Sequence, residues 1–252
     1  MSTTTSRAKL ATIAAIAGLL LAACGDDGSS SSDTNAAPTT TAAPAPTAAP
    51  ASNSPTTSVA PTFDGDLVGT FAIDPGACDG TAITGSYFKM VQPGGTADVG
   101  PFIPNADSTC TDTSATVLTP GSDGGFITGD FQPAPDPAYD ANGNGLAAGI
   151  FNPTPFFAVS FAGATDPADA TPTISAIDGL LTGNLSAFTA YYGGASFNQG
   201  APKPDGSGSA PTGTIDPTTG VFTLDWTSLI VGGSFDGFLG VWHFEGTFIP
   251  AA

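Results

Sequence analysis

The stretch FLGVWHFEGTFI, residues 238–249, alternates bulky aromatic residues with polar ones. Successive side chains of an extended strand point to opposite faces, so Trp242, Phe244 and Phe248 share one face. The other face carries His243 and Glu245, which are the only histidine and the only glutamate of the chain. The pattern therefore predicts a strand that buries its aromatic face and closes a β domain.

The sequence just before this strand predicts a hairpin. In GTIDPTTGVFTLDW, residues 213–226, two alternating runs are joined by the segment from Asp216 to Gly220. Pro217 sets the backbone for a type I turn, and Gly220 can adopt the left-handed conformation that closes it. A second Gly-rich turn, GGSFDG, leads into the closing strand. The C-terminal third is thus predicted to be an antiparallel meander.

Alternating runs separated by turn residues continue through the rest of the domain, and none of them has a helical period. The tripeptide GTF occurs at Gly69–Phe71 and again at Gly246–Phe248, which suggests that the first and last strands are adjacent. We therefore predict an all-β fold, either an antiparallel β-sandwich or a closed β-barrel. Both architectures reduce the number of unpaired strand edges, and the sequence does not distinguish between them.

The charge balance limits the possible partners. Asp and Glu together number 22 against four Lys and Arg, for a formal charge of −18. Beyond residue 9 the only bases are Lys89 and Lys203. Such a surface repels phosphate backbones, so nucleic acid is excluded as a partner. Divalent cations, cationic partners and neutral ligands are all compatible with it.

The N-terminus has the features of an export signal. Arg7 and Lys9 precede an apolar run that is too short to span a bilayer, and the run ends in Leu21-Ala22-Ala23-Cys24. This ending resembles the lipobox of bacterial lipoproteins. The resemblance implies that residues 1–23 are a removed signal peptide and that Cys24 is acylated. It also implies an extracytoplasmic protein held at the cell membrane, or at the outer membrane of a Gram-negative cell, because several acyl chains give a stable anchor.

A tether and one domain are predicted to follow the anchor. Residues 25–62 are rich in Ala, Pro, Thr and Ser, and all the aromatic residues of the chain lie from Phe63 onward. A segment with nothing to bury cannot repay its ordering entropy, so residues 24–62 are predicted to be a disordered linker. Residues 63–252 are predicted to form a single all-β domain with its own core.

Two cysteines lie in this domain. Cys78 and Cys110 form an even pair in an exported chain, for which a disulfide is the usual state. A metal site on the same residues is a poor alternative, because two thiols without a nearby histidine rarely complete zinc coordination. We therefore predict a Cys78–Cys110 disulfide.

Catalytic motifs are missing from the sequence. It contains no nucleophile elbow, phosphate-binding loop, dinucleotide fingerprint, zinc protease motif or CxxC pair. A Ser-His-Asp mechanism would have to use His243, and paired carboxylates cannot be singled out among so many aspartates. We therefore predict no catalytic residues.

The best candidate for an ion site is YDANGNGL, in which Asp140, Asn142 and Asn144 recur at every second position. This matches the first half of an EF-hand loop, with Gly145 at the sixth position, but Phe151 stands where the bidentate glutamate should be. Calcium bound in a β-loop is the one cofactor that the sequence suggests. The same residues also suit a tight Asn-Gly turn.

A second candidate site lies near Tyr191 and Tyr192, which precede a long polar segment containing Asn198. Exposed tyrosines beside amide groups suit stacking on sugar rings or contact with a protein partner. Since neighbouring strand residues point to opposite faces, at most one of the two tyrosines should enter the core. An ordinary connecting loop is the alternative.

His243 and Glu245 are the third candidate, as a weak pair on the outer face of the closing strand. Asp225 in FTLDW faces the same way by alternation and is the obvious third ligand or partner. We expect the pair to be a solvated feature of the surface, with neither Asp225 nor another carboxylate meeting it.

These observations favour a lipid-anchored extracytoplasmic protein with a binding, adhesion or envelope-structural role. Its predicted partners are the membrane, through Cys24, and a cell-surface glycan or protein. A carbohydrate-active hydrolase that uses Asp carboxylates is one alternative. A small-ligand carrier is the other, if the fold encloses an apolar cavity.

Overall fold

The computed structural model describes residues 62–252, and the regular structure there is almost entirely antiparallel β-sheet. The all-β prediction is confirmed. The predicted signal peptide, the acylated Cys24 and nearly all of the predicted tether lie outside the described residues. Between residues 62 and 252 no helix has the length and apolar character needed to cross a membrane.

The strands are numbered here in chain order, and a large main sheet dominates the fold. Eleven strands belong to it: β1 (Gly65–Asp66), β2 (Gly69–Ile73), β5 (Tyr87–Thr96), β6 (Gly100–Phe102), β7 (Thr116–Val117), β8 (Gly125–Thr128), β11 (Thr173–Ile177), β12 (Leu180–Asn184), β15 (Ser209–Ile215), β16 (Val221–Leu229) and β17 (Leu239–Pro250). The strand order β1-β11-β12-β15-β16-β17-β2-β8 forms an antiparallel half-barrel that does not close on itself.

Smaller elements complete the fold. A second sheet contains β9 (Thr154–Phe156), β10 (Val159–Thr165), β13 (Phe188–Tyr192) and β14 (Ala195–Asn198), in the order β14-β13-β10-β9. The short strands β3 (Ala77–Asp79) and β4 (Ala82–Thr84) pair only with each other, and a 3₁₀ turn spans Gly233–Phe235.

Strand β17 organises the main sheet. One of its edges pairs with β16 over nine residue pairs, as the predicted meander requires. The other edge pairs with β5 through its first half and with β2 through its second half. The second pairing aligns Phe248 with Phe71, so the two GTF tripeptides are indeed on adjacent strands.

The hairpin between β15 and β16 is confirmed, and its turn is stabilised by one carboxylate. Oδ1 of Asp216 accepts hydrogen bonds from the backbone N–H groups of Thr218 and Thr219, both at 2.8 Å. Gly220 closes the turn with φ of 75°, a conformation that a glycine adopts without strain. The hydroxyl of Thr218 and these backbone donors favour the ionised carboxylate, which lowers the pKa of Asp216 to about 2.

The core lies between the half-barrel and the second sheet. Trp226 and Trp242 stack with their ring centroids 5.8 Å apart, and Phe188 of β13 meets both rings edge-on. Phe244 and Phe248 are also buried, as the alternation of the closing strand predicted. The aromatic face of β17 is therefore the side that holds the two sheets together.

Two runs that are continuous in the sequence are each divided between two strands in the structure. The run GLLTGNLSAFTAYY breaks at Leu185, where a turn sends β12 to the main sheet and β13 to the second sheet. The run AITGSYFKMV breaks at Gly85, whose φ of 70° ends one strand before the next begins. Apolar residues continue past both breaks, and at each one their alternation changes phase: Leu185 is followed by Phe188, and Ile83 by Phe88.

Candidate functional site

The outer face of the main sheet carries a cluster centred on His243. Its Nδ1 lies 2.7 Å from Oδ1 of Asp225, and its Nε2 lies 3.4 Å from Oε2 of Glu245. Tyr87 stacks on the imidazole at a centroid distance of 4.7 Å. The expectation that Asp225 would not meet the pair is therefore wrong. Asp225 is directly opposite His243 in the β16–β17 register, where cross-strand side chains lie close enough to touch.

The cluster stabilises a charged imidazole. Burial by itself lowers the pKa of His243, but the hydrogen bonds and negative charges of Asp225 and Glu245 outweigh it, and the pKa is raised above 6.5. Both ring nitrogens lie within hydrogen-bonding distance of carboxylates, so neither is paired with a serine hydroxyl. The geometry therefore describes an ion cluster on the sheet, and not the base of a Ser-His-Asp mechanism.

This cluster predicts that the free energy of unfolding depends on pH. A group whose pKa is raised on folding stabilises the fold fully below its unfolded pKa, near 6.5, and the contribution is lost as the pH rises through the folded value. The expected loss is no more than about 1 kcal/mol, because Asp225 is 56% exposed and solvent screens it. The nearby Tyr87 stays neutral in this range, since burial and then the charges of Asp225 and Glu245 raise its pKa.

An NMR titration of the untagged chain measures this pKa directly, because His243 is the only histidine. Asp225→Asn should lower the value, whereas Asp98→Asn, at an exposed position, should leave it unchanged. A wild-type pKa at or below 6.5 would contradict the assignment.

Glu245 has a further, structural role at the point where β2 and β5 separate along β17. Its Oε1 accepts a hydrogen bond from the backbone N–H of Gly85 at 2.6 Å. Its backbone carbonyl oxygen accepts one from the backbone N–H of Asp74 at 2.7 Å. Its backbone N–H donates to the hydroxyl of Ser86 at 3.2 Å. The single glutamate thus forms hydrogen bonds with backbone groups that are reached neither by the β17–β2 pairing nor by the β17–β5 pairing. The extra methylene of glutamate, compared with aspartate, lets its carboxylate reach Gly85.

The predicted disulfide is present. Cys78 in β3 and Cys110 in the loop before β7 are joined with a Cα–Cα distance of 5.5 Å, within the usual range for such a bond. The bond attaches the β3–β4 hairpin, which pairs with no other strand, to the neighbouring loop. It is therefore a structural cross-link.

The candidate calcium loop is folded as a tight turn. Oδ1 of Asp140 accepts hydrogen bonds from the backbone N–H groups of Asn142 and Asn144, and its Oδ2 accepts one from the Asn144 amide at 2.8 Å. The side-chain oxygen of Asn144 accepts a bond from the backbone N–H of Ser160. Among residues 62–252 no group of three or more His, Cys, Asp or Glu side chains could hold a metal ion. Calcium binding here stays a prediction.

The three residues of the predicted binding segment occupy different surroundings. Tyr191 packs against Tyr139 with the ring centroids 5.7 Å apart, beside a small cluster of alanines. Tyr192 contacts the rings of Phe156 and Phe235 on the opposite side. Asn198 lies at the end of β14, a strand within the polar segment that follows the two tyrosines. The structure therefore separates the two tyrosines from each other and places only Asn198 in an open cleft.

This cleft, which we call the Asn198 cleft, has a volume of about 540 Å³. It lies beside β14 and receives side chains from four separate segments of the domain. Its polar residues are Asp169, Asn184, Ser186, Ser196, Asn198 and Lys203, and its apolar residues are Ala170, Phe197, Pro202, Pro204 and Val231.

Hydrogen bonds fix part of the cleft and leave other groups available. The Asn198 amide donates to the carbonyl oxygen of Ser186 at 2.7 Å and to Oδ2 of Asp169 at 3.2 Å. The side-chain oxygen of Asn184 accepts a bond from the backbone N–H of Ser186. Within the described part of the chain, the Asn184 amide nitrogen and the Ser186 hydroxyl have no protein partner, so both are available to a ligand.

Lys203 does not make the cleft an anion site. Its ammonium donates to the carbonyl oxygens of Asn198, at 3.0 Å, and of Leu229. Burial lowers the pKa of this ammonium, and the charge of Asp205 opposes that shift. Asp169 supplies an opposing negative charge on the same wall. The cleft is therefore polar without a net preference for anions.

An apolar cavity lies on the other side of Phe197, which lines both spaces. Its volume is about 40 Å³, and Gln199 is the only polar side chain in its wall apart from the Tyr192 hydroxyl. The other lining residues are Phe88, Met90, Phe156, Phe161, Ala190, Phe197, Ile230 and Phe235.

Sequence reasoning found only part of these two sites. Asn198 and Tyr192 were singled out, but Asp169, Asn184 and Ser186 carried no signal. Asp169 comes from the loop between β10 and β11, and Asn184 and Ser186 come from the end of β12 and the turn after it, where such residues are typical of any polar loop. Comparison with known proteins adds no further residues: no family model matches the chain, and no curated protein or solved structure gives a significant match.

Proposed function

We propose that this chain is a lipid-anchored extracytoplasmic binding protein whose Asn198 cleft binds an uncharged glycan. The observation that carries the proposal is the composition of the cleft, in which amide, hydroxyl and carboxylate groups surround an apolar strip formed by Phe197, Pro202 and Val231. Ligand sites typically combine apolar contact with a few well-placed polar groups.

The chemistry of a sugar fits this arrangement. A sugar ring presents apolar C–H faces and a rim of hydroxyl groups that donate and accept hydrogen bonds. The Asn184 amide can donate to a hydroxyl, Asp169 can accept from one, and the Ser186 hydroxyl can do either. The strongly acidic domain disfavours anionic glycans, because like charges repel during encounter.

Binding is favoured over hydrolysis by the acids in the cleft. Glycoside hydrolysis by the usual mechanism needs two carboxylates about 5–10 Å apart. Among the described residues that line the Asn198 cleft, Asp169 is the single acid. The cleft therefore supports recognition of a glycan better than cleavage of one.

The anchor rests on the resemblance of Leu21 to Cys24 to a lipobox. An acylated Cys24 followed by a Pro-rich linker holds the domain away from the membrane, where a surface glycan is within reach. Mass spectrometry of the mature N-terminus tests this part. An unmodified Cys24 in native membranes would overturn the anchor and leave the cleft unaffected.

Variants of the cleft test the glycan proposal. We expect Asp169→Ala and Asn184→Ala each to weaken binding at least about tenfold, equivalent to about 1.4 kcal/mol, because each removes a hydrogen bond to the ligand. The measurement is isothermal titration with the hits from an array of uncharged glycans. Asp98→Ala is the matched control, since it removes the same charge at an exposed position outside the cleft.

Equal loss in Asp169→Ala and Asp98→Ala would point to an effect of net charge and would contradict the proposal. An array without any hit among neutral glycans would also overturn it. Retained unfolding transitions in each variant exclude loss of fold as the cause.

A further inference from the structure

We propose that the cavity behind Phe197 is a second binding site, which takes a small, uncharged, apolar molecule or group. The cavity lies between the two sheets: Phe88 and Met90 come from the main sheet, and Phe161 and Ala190 come from the second. This site is independent of the Asn198 cleft, so its failure leaves the glycan proposal intact.

The wall of the cavity determines the class of ligand. Rings and aliphatic chains form almost all of it, and its base is buried. Gln199 is only 2% exposed, and its Oε1 accepts a hydrogen bond from the Trp242 indole at 3.3 Å. No described charged side chain lines the space, so a charged ligand would be desolvated without a partner. An engineered apolar cavity of about 150 Å³ binds benzene or xenon, so a smaller space of the same character can take such a molecule once its cover opens.

The cover of the cavity lies on a short turn between two glycines. Phe235 lies on the 3₁₀ turn Gly233–Phe235 and contacts Tyr192 and Phe156 with centroid distances near 6 Å. Gly232 and Gly237 flank the turn with φ of 83° and 81°, conformations that non-glycine residues rarely adopt. Short hinges of this kind absorb the backbone rotation that opens a lid. The turn can therefore admit a ligand while the sheets stay in place.

Met90 is an internal reporter for the test. The chain has two methionines, and only Met90 lies in the described domain and lines the cavity. In the full chain labelled with methyl-¹³C methionine, Met90→Leu assigns the signal. Benzene is the apolar probe, and benzoate is its charged counterpart with the same ring.

We expect benzene to shift the Met90 methyl signal saturably and benzoate to leave it unchanged. Ala190→Leu fills the cavity and should weaken benzene binding at least about tenfold, whereas Ala82→Leu, at an exposed position in β4, should not. Ala190→Val serves the same purpose with a smaller volume if the leucine variant does not fold. Phe235→Ala removes the cover and should speed benzene exchange.

Two results would overturn the site. One is a wild-type Met90 signal that does not respond to benzene. The other is an equal response in wild type and in whichever Ala190 variant folds, which would place the probe elsewhere.

Discussion

Trp242→Ala is expected to lower the free energy of unfolding by about 3–5 kcal/mol, the range for a buried large aromatic. Trp242 is 1% exposed, stacks on Trp226 and meets Phe188 and Phe88 with centroid distances of 4.8 and 4.5 Å. Its truncation leaves a void where the two sheets meet, and close-packed interiors relax only partly around such a void. It also removes the indole partner of the buried Gln199 side chain.

Equilibrium unfolding in denaturant at constant pH measures this loss. Val241→Ala is the matched control, because Val241 is the preceding residue of β17 and is only partly buried on the opposite face. We expect it to cost less than about 1 kcal/mol, as is usual for substitutions near the surface. Similar losses for both variants would mean that β17 does not bury one face selectively.

Removal of the Cys78–Cys110 disulfide is expected to cost about 3–4 kcal/mol. The two cysteines are 32 residues apart, and a cross-link of this length restricts the unfolded chain by roughly that amount. The β3–β4 hairpin has no other strand partner, so this bond is its main attachment. Unfolding of the Cys78→Ser/Cys110→Ser variant is compared with that of the wild-type chain.

Added reductant provides the control for this comparison. It should destabilise the wild-type chain by the same amount and leave the double variant unchanged. A loss below about 1 kcal/mol would show that the hairpin is held by contacts other than the disulfide.

Local patterns predicted much of the fold. Alternation placed Trp242, Phe244 and Phe248 on the buried face, and Asp216 to Gly220 predicted the hairpin. These predictions succeed because each depends on residues close in sequence, whose backbone geometry is a local property. The break at Leu185 was missed, because apolar residues continue on both sides of it and their order along the chain does not show that the run crosses to another sheet.

The sites were harder to predict. Asn198 was identified by its type, but Asp169 and Asn184 reach its cleft from the β10–β11 loop and from the end of β12. The meeting of Asp225 with His243 was expected not to occur, although the same alternation had put both on the outer face. What was missing was the register between β16 and β17, which sets the residue opposite His243.

The sequence by itself determined the class of fold, the buried face of the closing strand, the main turn, the acidic character of the domain and the candidate cysteine pair. Only the tertiary structure decided the ion cluster at His243, the junction role of Glu245, the Asn198 cleft and the cavity covered by Phe235. The physical reason is the range of the interactions. Periodicity and turn chemistry act over a few residues, whereas a cleft or an ion cluster requires strand register and sheet packing to bring distant side chains together.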